Sequence, residues 1–166
     1  MRLVIRPATA ADAPAMTAMF TALNRHEDTI SHDRRTDPDG GAETMRAALA
    51  RVAETRGHAL VAERDGEVAG CLLLEFRTDA VFVRPELRPH AYVSDLFVDP
   101  AQRGQGIGAA LMREAERLAM ARGMSRIGVG VLAGNTLAES LYARVGYSPY
   151  AVELLKTLPS DADPAP

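Results

Sequence analysis

The feature that most limits what this 166-residue chain can fold into is the run over residues 92–122. Tyr92-Val93-Ser94-Asp95-Leu96-Phe97-Val98 is β-branched, aromatic and apolar enough for a buried strand. Asp99-Pro100 ends it, since proline has no ladder donor and restricts the residue before it. Gly104, Gly106 and Gly108 then open an Ala/Leu/Met-rich helix that runs to Arg122, with Gly123 placed to stop it. Glycine lets the main chain approach a ligand, and the first N–H groups of a helix have no partner within it. A strand feeding a glycine-rich helix start is a candidate anion site, most often for phosphate.

The rest of the chain frames that unit. Residues 3–5 read as a short first strand ended by Pro7, and Thr9 with Asp12 stands at cap spacing ahead of a helix over 10–24. Residues 24–41 are polar and without a period, which predicts a long loop of functional interest. A second helix fits 42–56. Apolar runs over 58–64 and 67–76 flank Asp65-Gly66, a strong two-residue hairpin signal. Residues 77–90 read as an extended excursion limited by Pro85 and Pro89. After the glycine-rich helix come a strand over 125–131, a helix over 135–145 and a final strand over 150–155. Residues 159–166 form a polar, proline-rich tail expected to be disordered, leaving one domain over 1–158. The order β-α-α-β-β-β-α-β-α-β, with hairpins in its middle, predicts an α/β (α+β) fold: a mixed, mostly antiparallel sheet with helices on both faces.

Composition narrows the function classes. A net charge of −3 gives no support for a nucleic-acid or membrane partner. The first residues are too few and too charged for a signal peptide, and the single Cys71 excludes an internal disulfide, so a cytoplasmic setting is expected. Cys71 stands beside Gly70 and Leu72-Leu73-Leu74, which reads as a buried apolar thiol. His26, His32, His58 and His90 are scattered without metal-ligand spacing, so no metal is expected.

Gly104, Gly106 and Ala109 satisfy the loose dinucleotide pattern G-x-G-x-x-A, but the context is wrong. Five residues separate Val98 from Gly104, and no Asp or Glu stands over 124–130 to hold a ribose. No Gly-Lys-Ser/Thr follows the glycines, which counts against a phosphate-loop enzyme. The residues that do cohere are Val98-x-Pro100-x-x-Arg103-Gly104-x-Gly106-Ile107-Gly108 and, beyond them, Asn135-Thr-Leu-Ala-Glu-Ser-Leu-Tyr142-Ala-Arg-Val-Gly146. Together they resemble the GNAT superfamily of acetyl-CoA-dependent N-acetyltransferases.

The resemblance implies a sheet splayed between two strands. It implies that the backbone from Arg103 through Gly104, Gln105, Gly106, Ile107 and Gly108 to Ala109 wraps the coenzyme A pyrophosphate. The helix dipole alone favours an anion there by roughly 0.3–1 kcal/mol. It further implies that Leu96, Phe97 and Val98 pair with the pantetheine arm, and that Asn135 and Tyr142 line it. Asn135 is equally suited to cap the following helix. Acetyl transfer to an amine needs a base and an acid, because a lysine-like amine of pKa ~10.4 lies about 4.6 kcal/mol from its neutral form at pH 7. Tyr142 is the candidate acid, with a core tyrosine as the plainer alternative. Some family members carry a carboxylate at the position of Gly130, which this chain lacks; Asp95 is the candidate base, with a strand carboxylate that points to solvent or binds a backbone amide as the plainer alternative and a water relay as the third. The acceptor pocket falls to residues 24–41, whose five acids outnumber three arginines, with Tyr92 and His90 beside it. The acceptor expected is therefore a primary amine of a small molecule or peptide, and a homodimer is the expected assembly. The rival readings are a non-catalytic acyl-CoA-binding module and a dinucleotide-binding protein.

Overall fold

The computed structural model describes residues 2–158; the tail expected over 159–166 lies outside them. Five strands form one sheet in the order β1 (Leu3–Pro7), β2 (His58–Arg64), β3 (Glu67–Thr78), β4 (Pro89–Val98), β5 (Ile127–Val129). Neighbours pair antiparallel except β4 and β5, which are parallel. The mixed, mostly antiparallel sheet inferred from the hairpins is the one observed.

β3 is the middle of this sheet, and its sequence says why. Residues 69–76 are all buried, the signature of a strand covered on both faces. On one side α1 (Ala13–Ser31) and α2 (Gly40–Glu54) pack Met16, Phe20, Met45 and Val52 onto Val61, Cys71, Leu73 and Phe97. On the other, α3 (Ile107–Ala121) and α4 (Thr136–Arg144) pack Ile107, Leu111, Met112 and Tyr142 onto Leu60, Leu72, Leu74 and Val93. Cys71 is buried and its thiol is pushed up to about 12, an inert core group. Asp65 and Gly66 turn the β2–β3 hairpin with φ of 51° and 91°, the left-handed pair that a two-residue turn demands.

The approach to α1 is fastened by Asp12. Its carboxylate accepts the Thr9 main-chain N–H at 2.7 Å and both Arg6 Nη atoms at 2.8 and 2.9 Å. A 3-10 turn over Ala10–Asp12 precedes the helix proper.

Three expectations are corrected. α1 does not stop at Asn24 but continues to Ser31, where His32 caps it in the left-handed region. Asn24 is buried, and its amide donates to the Arg35 carbonyl and the Thr44 hydroxyl, so tertiary contacts replace the missing apolar period. The strand expected over 125–131 is paired only over Ile127–Val129, because it parts from β4 beyond Val129. Residues 150–155 form no strand: they find no ladder partner, and Tyr150, Val152, Leu154 and Leu155 stand at least 81% exposed.

Candidate active site

β4 and β5 pair only from Ala91–Ile127 to Val93–Val129. At the next residue β4 changes register against β3, between the Leu74–Val93 and Leu73–Asp95 pairs, so that Ser94 has no partner. A bulge of this kind bends a strand and re-aims the side chain after it. Here it coincides with the end of β5 pairing and opens the sheet. Two cavities of about 500 and 340 Å³ meet at the opening and share the walls Leu23, Leu96, Asn135, Ala138 and Tyr142.

The smaller cavity is the one built by the glycine-rich segment. After Val98 a 3-10 turn (Pro100–Gln102) is capped by Asp99, whose carboxylate accepts the Ala101 N–H at 2.8 Å. Arg103 is folded back: its Nε donates to the Val98 carbonyl at 3.1 Å, and its guanidinium lies over the Phe97 ring. Gly104 and Gly106 adopt φ of 75° and 79°, and Gly106 is the left-handed N-cap of α3. A Cβ built on either glycine meets no protein atom within 4 Å. The backbone is therefore held in a left-handed conformation that favours glycine and faces open space, the geometry a ligand in contact with the main chain would need.

Around this cavity stand Leu96, Phe97, Val98, Arg103, Gly104, Gly106, Ile107, Gly108, Ala109, Asn135 and Tyr142. Gln105 is not among them. Its side-chain oxygen instead accepts from Arg64 of β2, a contact across 41 positions that local sequence does not announce. Asn135 caps α4, its Oδ1 accepting the Ala138 N–H at 3.3 Å, while the residue also faces both cavities.

The larger cavity lies towards α1 and is acidic. Glu27, Asp33, Asp95 and Glu153 line it, with Arg34 and Arg35 as its basic residues. Both arginines are committed: Arg34 pairs with Glu27 at 2.7 Å and Asp33 at 2.8 Å, and Arg35 pairs with Asp37 at 2.8 Å and with Glu43. Among the described residues Asp95 and Glu153 have no ion-pair partner. Burial pushes the Asp95 carboxyl above its ordinary range, and the Ser94 hydroxyl, donating at 2.8 Å, partly opposes that shift. Tyr142 is 9% exposed and borders both cavities. Its phenol is pushed up to about 12 by burial first and by the nearby Glu27, Tyr92 and Asp95 next, so it stays a proton donor at neutral pH. Glu27 falls within the acceptor segment expected over 24–41 but stands on α1, whereas Leu23 and Glu153 are walls that the sequence did not assign to the site. The unbroken absence of Gly and Pro from residue 15 to residue 37 was the available sign that α1 runs on.

No group of His, Cys, Asp or Glu among the described residues is arranged to hold a metal ion. No helix among them is long and apolar enough to cross a membrane.

Comparison with known proteins puts this geometry in context. Residues 20–147 match the family model described as the acetyltransferase (GNAT) family. A thialysine N-epsilon-acetyltransferase of Mus musculus is 32% identical over 92 residues, covering 54% of this chain and 54% of the relative. A mycothiol acetyltransferase of Sanguibacter keddieii is 30% identical over 129 residues, covering 75% of this chain and 40% of the relative. The chain thus spans about half the length of the curated relatives it matches. The solved structure of AAC(6')-Iy in complex with the bisubstrate analog CoA-S-monomethyl-acetylneamine superposes with a TM-score of 0.70 at 15% identity, over 96% of this chain and 100% of that one, a likeness of fold.

Proposed function

The chain belongs to the acetyltransferase (GNAT) family, and from that premise we propose that it transfers an acetyl group from acetyl-CoA to a primary amine in a ternary complex. The observation that carries the proposal is the junction of the two cavities at Tyr142. One cavity offers left-handed glycines and helix N–H groups to a diphosphate. The other offers an unpaired, half-buried carboxylate to an amine.

In this reading Asp95 takes the proton of the attacking ammonium, as its raised pKa suits it to do. The amine nitrogen bonds to the thioester carbon, the carbon–sulfur bond breaks, and Tyr142 supplies a proton to the departing sulfur. The nitrogen sheds its second proton to solvent as the amide forms, Tyr142 regains one from solvent, and Asp95 releases the first to solvent, so that one proton is liberated per turnover. The acidic cavity favours a cationic acceptor over an anionic one, because its two arginines are already neutralised. The resemblance of one stretch to thialysine N-epsilon-acetyltransferase supports a side-chain amine as the nucleophile.

The test is coenzyme release from acetyl-CoA in the presence of thialysine, spermidine, kanamycin and a lysyl peptide, with calorimetric titration of coenzyme A alongside. Binding with turnover of at least one amine supports the proposal. Binding without turnover across the panel would assign an acyl-CoA-binding module instead, and failure to bind coenzyme A would reject both.

A further inference from the structure

Tyr92 lies on β4 directly opposite Glu75 of β3 and Gly128 of β5. Its ring is immobilised from two directions. On one, the Arg77 guanidinium carbon stands 3.7 Å from the ring centroid. Arg77 is itself held by Glu75, with Nε and Nη2 at 2.8 and 2.7 Å from Oε2. Glu75 is 2% exposed, and its other oxygen faces Arg51 of α2 at 3.4 Å, which places the set on the α1/α2 side of the sheet. On the other, the ring lies against two glycines of the β5 segment. A Cβ on Gly128 would stand 3.3 Å from Tyr92 Cδ2, and one on Gly130 only 2.7 Å from the Tyr92 hydroxyl oxygen. The alternation of Gly128 and Gly130 with Val129 and Val131 is thus explained: any side chain at 130 would displace the phenol.

The position of that hydroxyl matters because Gly130 is the first residue of its strand past the last β4–β5 pair and borders the larger cavity. The phenol oxygen therefore sits at the corner where the two strands part, next to the cavity that also holds Asp95. Among the described residues it makes no hydrogen bond. Its neighbourhood is not that of a loose aromatic. A buried carboxylate, two arginines and two missing side chains all constrain one ring whose hydroxyl adjoins Gly130, a wall of the larger cavity, while Tyr92 itself stands just behind that wall and not among the lining residues.

We propose that Tyr92 is an acceptor-binding residue: its hydroxyl accepts a hydrogen bond from the incoming ammonium, and the Glu75–Arg77 pair holds it in place for that contact. The inference rests on the acetyltransfer reading. Arg77 is a positioning residue, acting only through the ring it supports.

The experiment is steady-state kinetics with whichever of thialysine, spermidine, kanamycin or lysyl peptide the wild type turns over fastest. Calorimetric titration of that amine into the protein saturated with coenzyme A accompanies it. Tyr92→Phe keeps the ring and its packing but removes the hydroxyl; it should raise acceptor KM and Kd about tenfold, the worth of one hydrogen bond to a charged donor. Affinity for coenzyme A should stay within about twofold, and so should kcat. Gly130→Ala should give the same acceptor defect by pushing the hydroxyl aside, and the double variant should be no worse than either single one, since both remove one contact. Unchanged acceptor KM and Kd in Tyr92→Phe, or an equal loss of coenzyme affinity, would overturn this inference and leave the acetyltransfer reading standing. A wild type that turns over no amine would overturn the acetyltransfer reading and this inference with it.

Discussion

The Ser94 hydroxyl donates a 2.8 Å hydrogen bond to the carboxylate of its neighbour Asp95. Without that donor, burial alone would hold Asp95 still further towards its neutral form. The pair therefore sets the pH at which the proposed base becomes available. Activity should rise with pH as Asp95 ionises, and Ser94→Ala should move that rising limb to higher pH while leaving the plateau nearly unchanged. The pH dependence of kcat/KM, measured for both proteins, checks the direction; a limb that moves down or stays put contradicts the assignment.

Asp95 also couples function to stability. Its folded pKa lies above its unfolded one, so the folded state loses stability as pH rises from the unfolded value through the folded one, and the loss persists at neutral pH. Asp95→Asn should lower kcat about a hundredfold yet stabilise the fold by about 1 kcal/mol at pH 7. Urea denaturation beside turnover measurements reads both effects. A destabilised Asn variant would mean that the carboxylate serves the structure and not the chemistry.

Gly106 holds α3's N-cap in the left-handed region with no protein atom near the place of a Cβ. Gly106→Val should cost about 1–2 kcal/mol in backbone strain without a clash inside the protein. Its methyl groups would instead enter the smaller cavity, so coenzyme A affinity should fall at least tenfold, by an order-of-magnitude steric argument. Thermal denaturation and calorimetry separate the two effects. A folded Gly106→Val protein that binds coenzyme A as well as the wild type would place the diphosphate elsewhere.

Tyr142 should behave differently. Tyr142→Phe removes one oxygen from a ring that stays packed against Tyr147, with centroids 6.1 Å apart. Turnover should drop by about ten- to a hundredfold with coenzyme affinity kept, as expected when an interaction made only in the transition state is lost. Because the phenol is pushed up to about 12, no falling limb from its ionisation should appear below about pH 10. Full turnover in the Phe variant would return Tyr142 to the core.

Asp12 gives a prediction about stability alone. Arg6 and the Thr9 N–H hold its carboxyl well below the usual carboxylate range. A depressed folded pKa contributes stability that is present above the unfolded value and lost as pH falls through the folded one. Asp12→Asn should therefore cost about 2 kcal/mol at pH 7 and progressively less below about pH 4. Denaturation midpoints at pH 7 and pH 3 test this. An equal loss at both would show that charge is not the cause.

Sequence pattern reached those features that local chemistry dictates. Asp65-Gly66 announced a turn because few other residues tolerate its dihedral angles, and Thr9 with Asp12 announced a helix start because orphan N–H groups need acceptors. The glycines ahead of α3 announced a left-handed backbone beside an open cavity for the same kind of reason. What escaped was decided by partners far along the chain. Residues 25–31 are helical because Asn24 is fixed by Arg35 and Thr44, Gln105 turns away because Arg64 reaches it, and residues 150–155 lack a strand's partner in spite of a strand's composition. The Tyr92 arrangement was hidden in the same way. Nothing in the local sequence shows that Gly128 and Gly130 make room for a ring from the neighbouring strand.

The opening of the sheet at Ser94 has a consequence for how such a protein diversifies. One cavity of the crevice is walled largely by the turn and helix start over residues 102–109, whereas the other is walled by side chains on α1, the segment after it and Glu153. Apart from the shared walls Leu23, Leu96, Asn135, Ala138 and Tyr142, substitutions in the second cavity leave the first untouched, so under the proposed function new acceptors would be reachable in single steps without a detour through a protein that has lost its acyl donor.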